Sequence, residues 1–201
     1  MKLHWSPKSP YVRKVMILVE ELHVQADLEL VRSVAAMTQP NQALMKDNPL
    51  SKIPTLVLKD GTTLFDSVVI CEYLNDHYRG DFFPRQSGEK WTSLRWHALG
   101  DGLLDALILW RNERERETPL ASLLAAFELK TVQTLMLLER EVKDLSASSF
   151  NIGILAIVCA LGYLDYRFQA LNWREKAPQL AKWFEVMQQR PSIQKTVAVE
   201  G

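Results

Sequence analysis

The sequence predicts a small mixed α/β domain over residues 1–79, a linker over 80–88 and an all-α helical bundle over 89–201. Three observations predict it. Apolar spacing mixes periods of two and 3.6 through residue 79 and keeps to the helical period afterwards, which separates a sheet-and-helix region from a helical one. An Asp60-Gly61 pair between two short apolar runs marks a hairpin in the first region. The phrase RGDFFPRQSGEK, rich in turn formers and charge, marks the linker.

Taken in order, residues 2–5 form a strand candidate and residues 10–22 an amphipathic helix, introduced by Ser9 and Pro10. Residues 26–31 (ADLELV) alternate with period two and predict a second strand. Residues 33–47 have weak periodicity and contain Pro40, which predicts a loop with one or two helical turns. Residues 55–58 and 62–65 are the hairpin strands, and residues 67–78 return to helical spacing. The order is therefore βαβ-α-ββα. Beyond the linker, helical segments span 90–117, 119–145, 151–168 and 177–190, with Pro119, residues 146–149, Pro178 and Pro191 as breaks.

Composition narrows the function classes. The 24 basic and 24 acidic residues cancel, so no net field draws the chain to nucleic acid or an anionic membrane. The N-terminal MKLHWSPKSP has no apolar h-region, and no uninterrupted apolar run reaches 18 residues, so the expectation is a cytoplasmic protein with no membrane partner. Cys71 and Cys159 stand far apart in apolar helical patterns and predict buried free thiols. His97, Asp101 and Asp105 fall on one helix face, but no second cluster at ligand spacing supports them; a polar stripe is expected and a metal is not. The sign-alternating run RNERERE at 111–117 reads as a solvated helix end.

The stretch SPYVRKV at 9–15 has two readings. A serine at the N-cap followed by proline at the first helical position is sufficient to start a helix, because the hydroxyl accepts from an orphan N–H and proline has none. The same strand-to-helix turn is also a place where the helix dipole and open N–H groups stabilise a thiolate or another anion.

Further motifs carry a resemblance. Ser9 to Val15, Asn48-Pro49, Lys52-Ile53-Pro54-Thr55-Leu56, Asp66-Ser67, Phe83-Pro84 and the helix LAIVCALGYLDYR at 155–167 occur in order, and the chain resembles the soluble glutathione transferase superfamily, as a bacterial-like, serine-type member. The resemblance implies a thioredoxin-like N-terminal domain, a helical C-terminal domain, glutathione as cosubstrate without metal, and usually a homodimer. It implies that Ser9 donates its hydroxyl to the glutathione sulfur, and that the Ile53-Pro54 peptide is cis with the Ile53 backbone pairing with the cysteinyl unit. Lys52 would meet the glycyl carboxylate, and Asp66 with Ser67 the γ-glutamyl end; the alternatives are a solvated lysine at 52, a strand-entry proline at 54 and Ser67 as only the N-cap of its helix. Ser6 and Trp5 are alternative hydroxyl and pocket-wall candidates. Asp101 is the candidate for reaching the glutathione amine of a partner subunit, and Trp110 and Arg111 for lining a small apolar electrophile's pocket, with core packing the alternative for Trp110. SPYV stands where related glutaredoxins carry a C-P-Y-C type motif, so dithiol exchange is disfavoured. One departure is Asn151-Ile152-Gly153-Ile154, where the family has Ser/Thr-x-x-Asp, leaving the start of that helix without its reciprocal carboxylate. The leading expectation is glutathione transfer. The alternatives are a non-catalytic dimerising or ligand-carrying module, and a glutathione-dependent isomerase, dehalogenase or etherase.

Overall fold

In the computed structural model, which describes residues 1–200, strand β1 (Lys2–Trp5) has a neighbour on each side, in the order β2–β1–β3–β4. It runs parallel to β2 (Glu29–Arg32), with Lys2 opposite Glu29 and Trp5 opposite Arg32. It runs antiparallel to β3 (Thr55–Val57), which pairs with β4 (Thr63–Leu64). A parallel pair needs a crossover, and α1 (Pro10–Leu22) supplies it. Val12, Val15, Ile17, Leu18 and Val19 of α1, Ile70, Cys71 and Leu74 of α2 (Ser67–His77), and Leu3 and Leu56 of the sheet are buried together as the core of this unit.

The second strand differs from expectation. Residues Gln25–Asp27 form a 3-10 turn and β2 starts only at Glu29. Asp27 is held outside the sheet: its carbonyl accepts from the N-terminal amine at 2.9 Å and its carboxylate from the Tyr78 hydroxyl at 2.7 Å. β2 is an edge strand with Leu30 45% exposed, so its alternation does not mark a buried and a solvated face. The hairpin is as expected, closed by Leu58 N–H on the Thr62 carbonyl at 2.8 Å with Gly61 at φ 89°.

The chain divides into two units, Met1–Phe83 together with the tail from Ser192, and Pro84–Pro191. The expected linker differs, since Ser87 and Gly88 already form the first turn of α3 (Ser87–Arg114). The tail was expected to close the helical region, yet it packs on α1 of the first unit. Arg13 Nη2 donates to the Ile193 carbonyl at 3.3 Å, Ser192 bonds Glu21, and Lys195 and Lys8 pair with Glu20 and Glu200 at 2.8 and 2.6 Å.

The second unit holds α3, α4 (Ala121–Arg140), α5 (Val142–Ala147), α6 (Ile152–Arg167), α7 (Trp173–Lys176) and α8 (Pro178–Met187), followed by the short α9 (Pro191–Gln194) where the tail begins. From Ile152 to Leu161 every residue of α6 is buried, as an all-round apolar helix must be in a packed bundle. It lies so close to α3 that a Cβ on Gly153 would sit 2.4 Å from the Ser93 carbonyl oxygen, and one on Gly100 2.6 Å from the Ala156 carbonyl carbon. The missing carboxylate at the start of α6 is compensated locally. Asn151 Oδ1 accepts from the Gly153 and Ile154 N–H groups at 2.9 and 3.1 Å and from the Ser93 hydroxyl at 3.0 Å. The expected helix over 119–145 is broken at Glu141, whose carboxylate takes bonds from Arg95 and Trp96 Nε1, both at 2.7 Å. By length and composition α4 is apolar enough to cross a membrane, with mean hydropathy 1.3 over 18 residues; here it buries Phe127, Thr131, Leu135 and Leu138. Cys71 and Cys159 are buried and are not joined in a disulfide.

Gly153→Ala is expected to cost roughly 1–3 kcal/mol by overpacking against backbone, read as a lower urea midpoint at unchanged m-value. Burial pushes the Glu141 carboxyl up, but the bonds from Arg95 and Trp96 outweigh it and hold it below the ordinary 4.5. Because the folded value is depressed, this stabilisation is present above the unfolded value and is lost as pH falls through the folded one. Stability of Glu141→Gln should therefore fall less steeply than wild type below about pH 4.5, by acid titration followed with circular dichroism.

Candidate active site

Strand β1 ends at Trp5 and α1 begins at Pro10, so the connecting turn, closed by Ser9 N–H on the Ser6 carbonyl at 3.3 Å, delivers the helix start to the carboxyl end of the strand. Ser9 is the N-cap, at φ −82° and ψ 120°, and its Oγ accepts from Val12 N–H at 3.3 Å. The two readings of this serine are compatible. Capping uses an acceptor lone pair, whereas stabilising a thiolate uses the hydroxyl proton.

Ser6 and Trp5 share a neighbour that sequence patterning did not single out. Arg32, the last residue of β2, donates to Ser6 Oγ at 3.1 Å and lies 5.6 Å over the Trp5 ring, opposite which the register places it. An arginine at the end of an exposed strand carries no local pattern, and only the pairing of β2 with β1 identifies it.

The Lys52–Thr55 segment is held from within. Asn48 Nδ2 donates to the Lys52 carbonyl at 3.2 Å and to Thr55 Oγ1 at 2.9 Å, while Thr55 Oγ1 donates to the same carbonyl at 2.8 Å. Between them lies the cis Ile53-Pro54 peptide, with Pro54 buried, Ile53 half-buried and Lys52 exposed. At the other helix start, Asp66 is the N-cap of α2, its Oδ1 accepting from Val68 N–H at 3.0 Å, and Ser67 is a buried first helical residue. The cap is therefore Asp66 and not Ser67, and the Phe65-Asp66 peptide is cis.

In the helical unit, His97 Nε2 pairs with Asp101 Oδ2 at 3.3 Å, and among the described residues no three His, Cys, Asp or Glu side chains are grouped to hold a metal ion. Trp110 is 7% exposed and packs on Phe168 at 4.7 Å between centroids with the rings tilted by 38°, in keeping with core packing; it also borders a cleft of about 440 Å³ with Arg114, Glu128 and Tyr166. Arg111 lies outside that lining and donates to the Tyr163 hydroxyl at 3.3 Å and to Asn112 at 2.7 Å. A larger cleft of about 560 Å³ in the first unit, lined by Met1, Lys2, Asp27, Glu29 and Lys59, lies at the start of β1, the opposite end from Ser9.

Residues 8–77 match the family model described as the N-terminal domain of glutathione S-transferase. The chain is 33% identical over 202 residues to the uncharacterized GST-like protein YibF of Escherichia coli K12, covering 98% of each. A glutathione transferase family member from Pseudomonas fluorescens Pf-5, solved with bound glutathione, superposes with a TM-score of 0.95 at 39% identity, over 99% of each chain. A glutathione S-transferase from Methylobacillus flagellatus KT, also with glutathione bound, gives 0.88 at 32% identity over 98% of this chain and 99% of that one. With motifs, strand order and whole-length similarity in agreement, the chain belongs to the glutathione S-transferase superfamily.

Proposed function

We propose that the protein is a serine-type glutathione S-transferase, acting as a homodimer in the cytoplasm and joining the glutathione sulfur to a small apolar electrophile. The observation that carries this reading is Ser9, whose hydroxyl caps a helix at the end of the central strand and retains a proton to donate. The similar proteins from Pseudomonas fluorescens and Methylobacillus flagellatus, solved with glutathione, support the ligand. Related structures also include one with bound S-(propanoic acid)-glutathione, a thioether of the tripeptide, which supports chemistry at sulfur.

In this reading Asp66 and Ser67 hold the γ-glutamyl end at the start of α2, where N–H groups and the helix dipole favour a carboxylate. Ile53 presents its backbone to the cysteinyl unit, in the manner of an added strand, and Lys52 meets the glycyl carboxylate. The Ser9 O–H and the α1 N-terminus then favour thiolate over thiol, whose proton leaves to water. The sulfur lone pair forms the bond to the electrophilic carbon as that carbon's leaving group departs with its electron pair. Ser9 stabilises and does not attack: the Ser–His–Asp arrangement in this unit is Ser33–His4–Asp47, around another serine. Asp101 is assigned to the partner subunit's glutathione amine, and Trp5 to the surroundings of the second substrate.

Calorimetry with glutathione should show saturable binding, and Ser67→Ala should weaken it roughly tenfold, the loss of one charge-assisted hydrogen bond. No binding at millimolar glutathione overturns the reading. Thiolate absorbance against pH should titrate below the ordinary ~8.5 in the wild-type complex and return toward it in Ser9→Ala, with turnover reduced roughly 100-fold. The same variant should lose only about 1 kcal/mol of stability, the worth of a cap.

A further inference from the structure

Residues 33–48 connect β2 to the segment around Pro54 and bury very little: Ser33, Leu44 and Asn48 are the buried positions, and Leu44–Lys46 is the one helical turn. A connection with a single buried aliphatic side chain is not held by apolar packing. It is held by polar bonds to the middle of the sheet. His4, 5% exposed in β1, lies with Nδ1 2.8 Å from Ser33 Oγ and Nε2 2.7 Å from Asp47 Oδ2. Lys2, two residues earlier on the same strand face, donates to that Asp47 oxygen at 2.7 Å. Asp47 directly precedes Asn48, the residue whose side chain fixes Lys52 and Thr55 on either side of Ile53-Pro54. One imidazole thus bridges both ends of the connection.

We propose that His4 and Asp47 are positioning residues for glutathione: their bond sets Asn48, and through Asn48 the Lys52–Thr55 backbone, at the distance from β1 that the tripeptide requires. The assignment rests on the glutathione reading of that backbone. Neither side chain is placed against the ligand. Both act through the loop base, so their loss loosens the loop without touching Ser9 or the α1 cap.

The test combines steady-state kinetics with hydrogen exchange on the full chain. In His4→Phe the KM for glutathione should rise roughly tenfold, while kcat at saturating glutathione and the KM for a model electrophile, 1-chloro-2,4-dinitrobenzene, stay within twofold. Amide exchange over residues 41–55 should accelerate in the absence of ligand. His4→Gln, whose amide can donate toward Asp47, should recover part of the affinity. Asp47→Ala, at a half-buried position, should reproduce the effect, and the double variant should be no worse than either single one. Unmoved KM for glutathione in both single variants, with the wild type binding normally, overturns this assignment alone; so does an equal fall in kcat and both affinities, which marks a general structural role. A wild type that binds no glutathione overturns the parent reading and this assignment with it.

Discussion

A helix that starts where a strand stops must satisfy its first N–H groups without a preceding turn to help, and the first unit is arranged around that requirement at Ser9. β1 delivers the chain, the turn from Ser6 brings Ser9 to the cap position, and Pro10 removes one donor that would need a partner. The parallel partner β2 is possible only because α1 carries the chain back across the sheet. What results is a concentration of partial positive charge at the carboxyl end of the central strand. Fold and proposed chemistry therefore use the same few atoms, with the hydroxyl accepting for one and donating for the other.

The second helix start repeats this physics with a carboxylate cap. Asp66 satisfies Val68 N–H and leaves Ser67 buried within the first turn of α2. Between the two helix starts, the Lys52–Thr55 segment depends on hydrogen bonds from Asn48 and not on side-chain burial at Lys52. The helical unit is organised on a different basis, close approach. Glycines at 100 and 153 let two backbones meet, and Asn151 ties the start of α6 to Ser93 on α3.

Periodicity made α1, α2 and α6 legible because each pairs an apolar pattern with a recognisable start, whereas α3 was legible as a helix but not in its start, since Gln86 caps it without a side-chain bond, and the Asp60-Gly61 pair located the hairpin. Ser9, Pro54 and Asp66-Ser67 were legible as motifs, since each places a special residue at a strand or helix boundary. Arg32, His4 and Asp47 were not, because a polar residue acquires meaning only from the strand register that brings its partner alongside. The break at Glu141 was hidden for the same reason: its cause is Trp96 and Arg95, far away in sequence. β2 was misplaced because alternation on an edge strand reports no buried face, while Asp27 was committed to the N-terminus and Tyr78.

The tail from Ser192 has a consequence for how the molecule is made. Arg13, Glu20 and Glu21 on α1 meet partners at residues 192–195, which are synthesised only after the whole helical unit. At roughly 5–20 residues per second, the first unit waits on the order of ten seconds after its own sequence has emerged, and the helical unit has been synthesised in full by then. The part translated first is finished last. The first unit is therefore not continuous in sequence, and the segment that completes it follows the whole of the second.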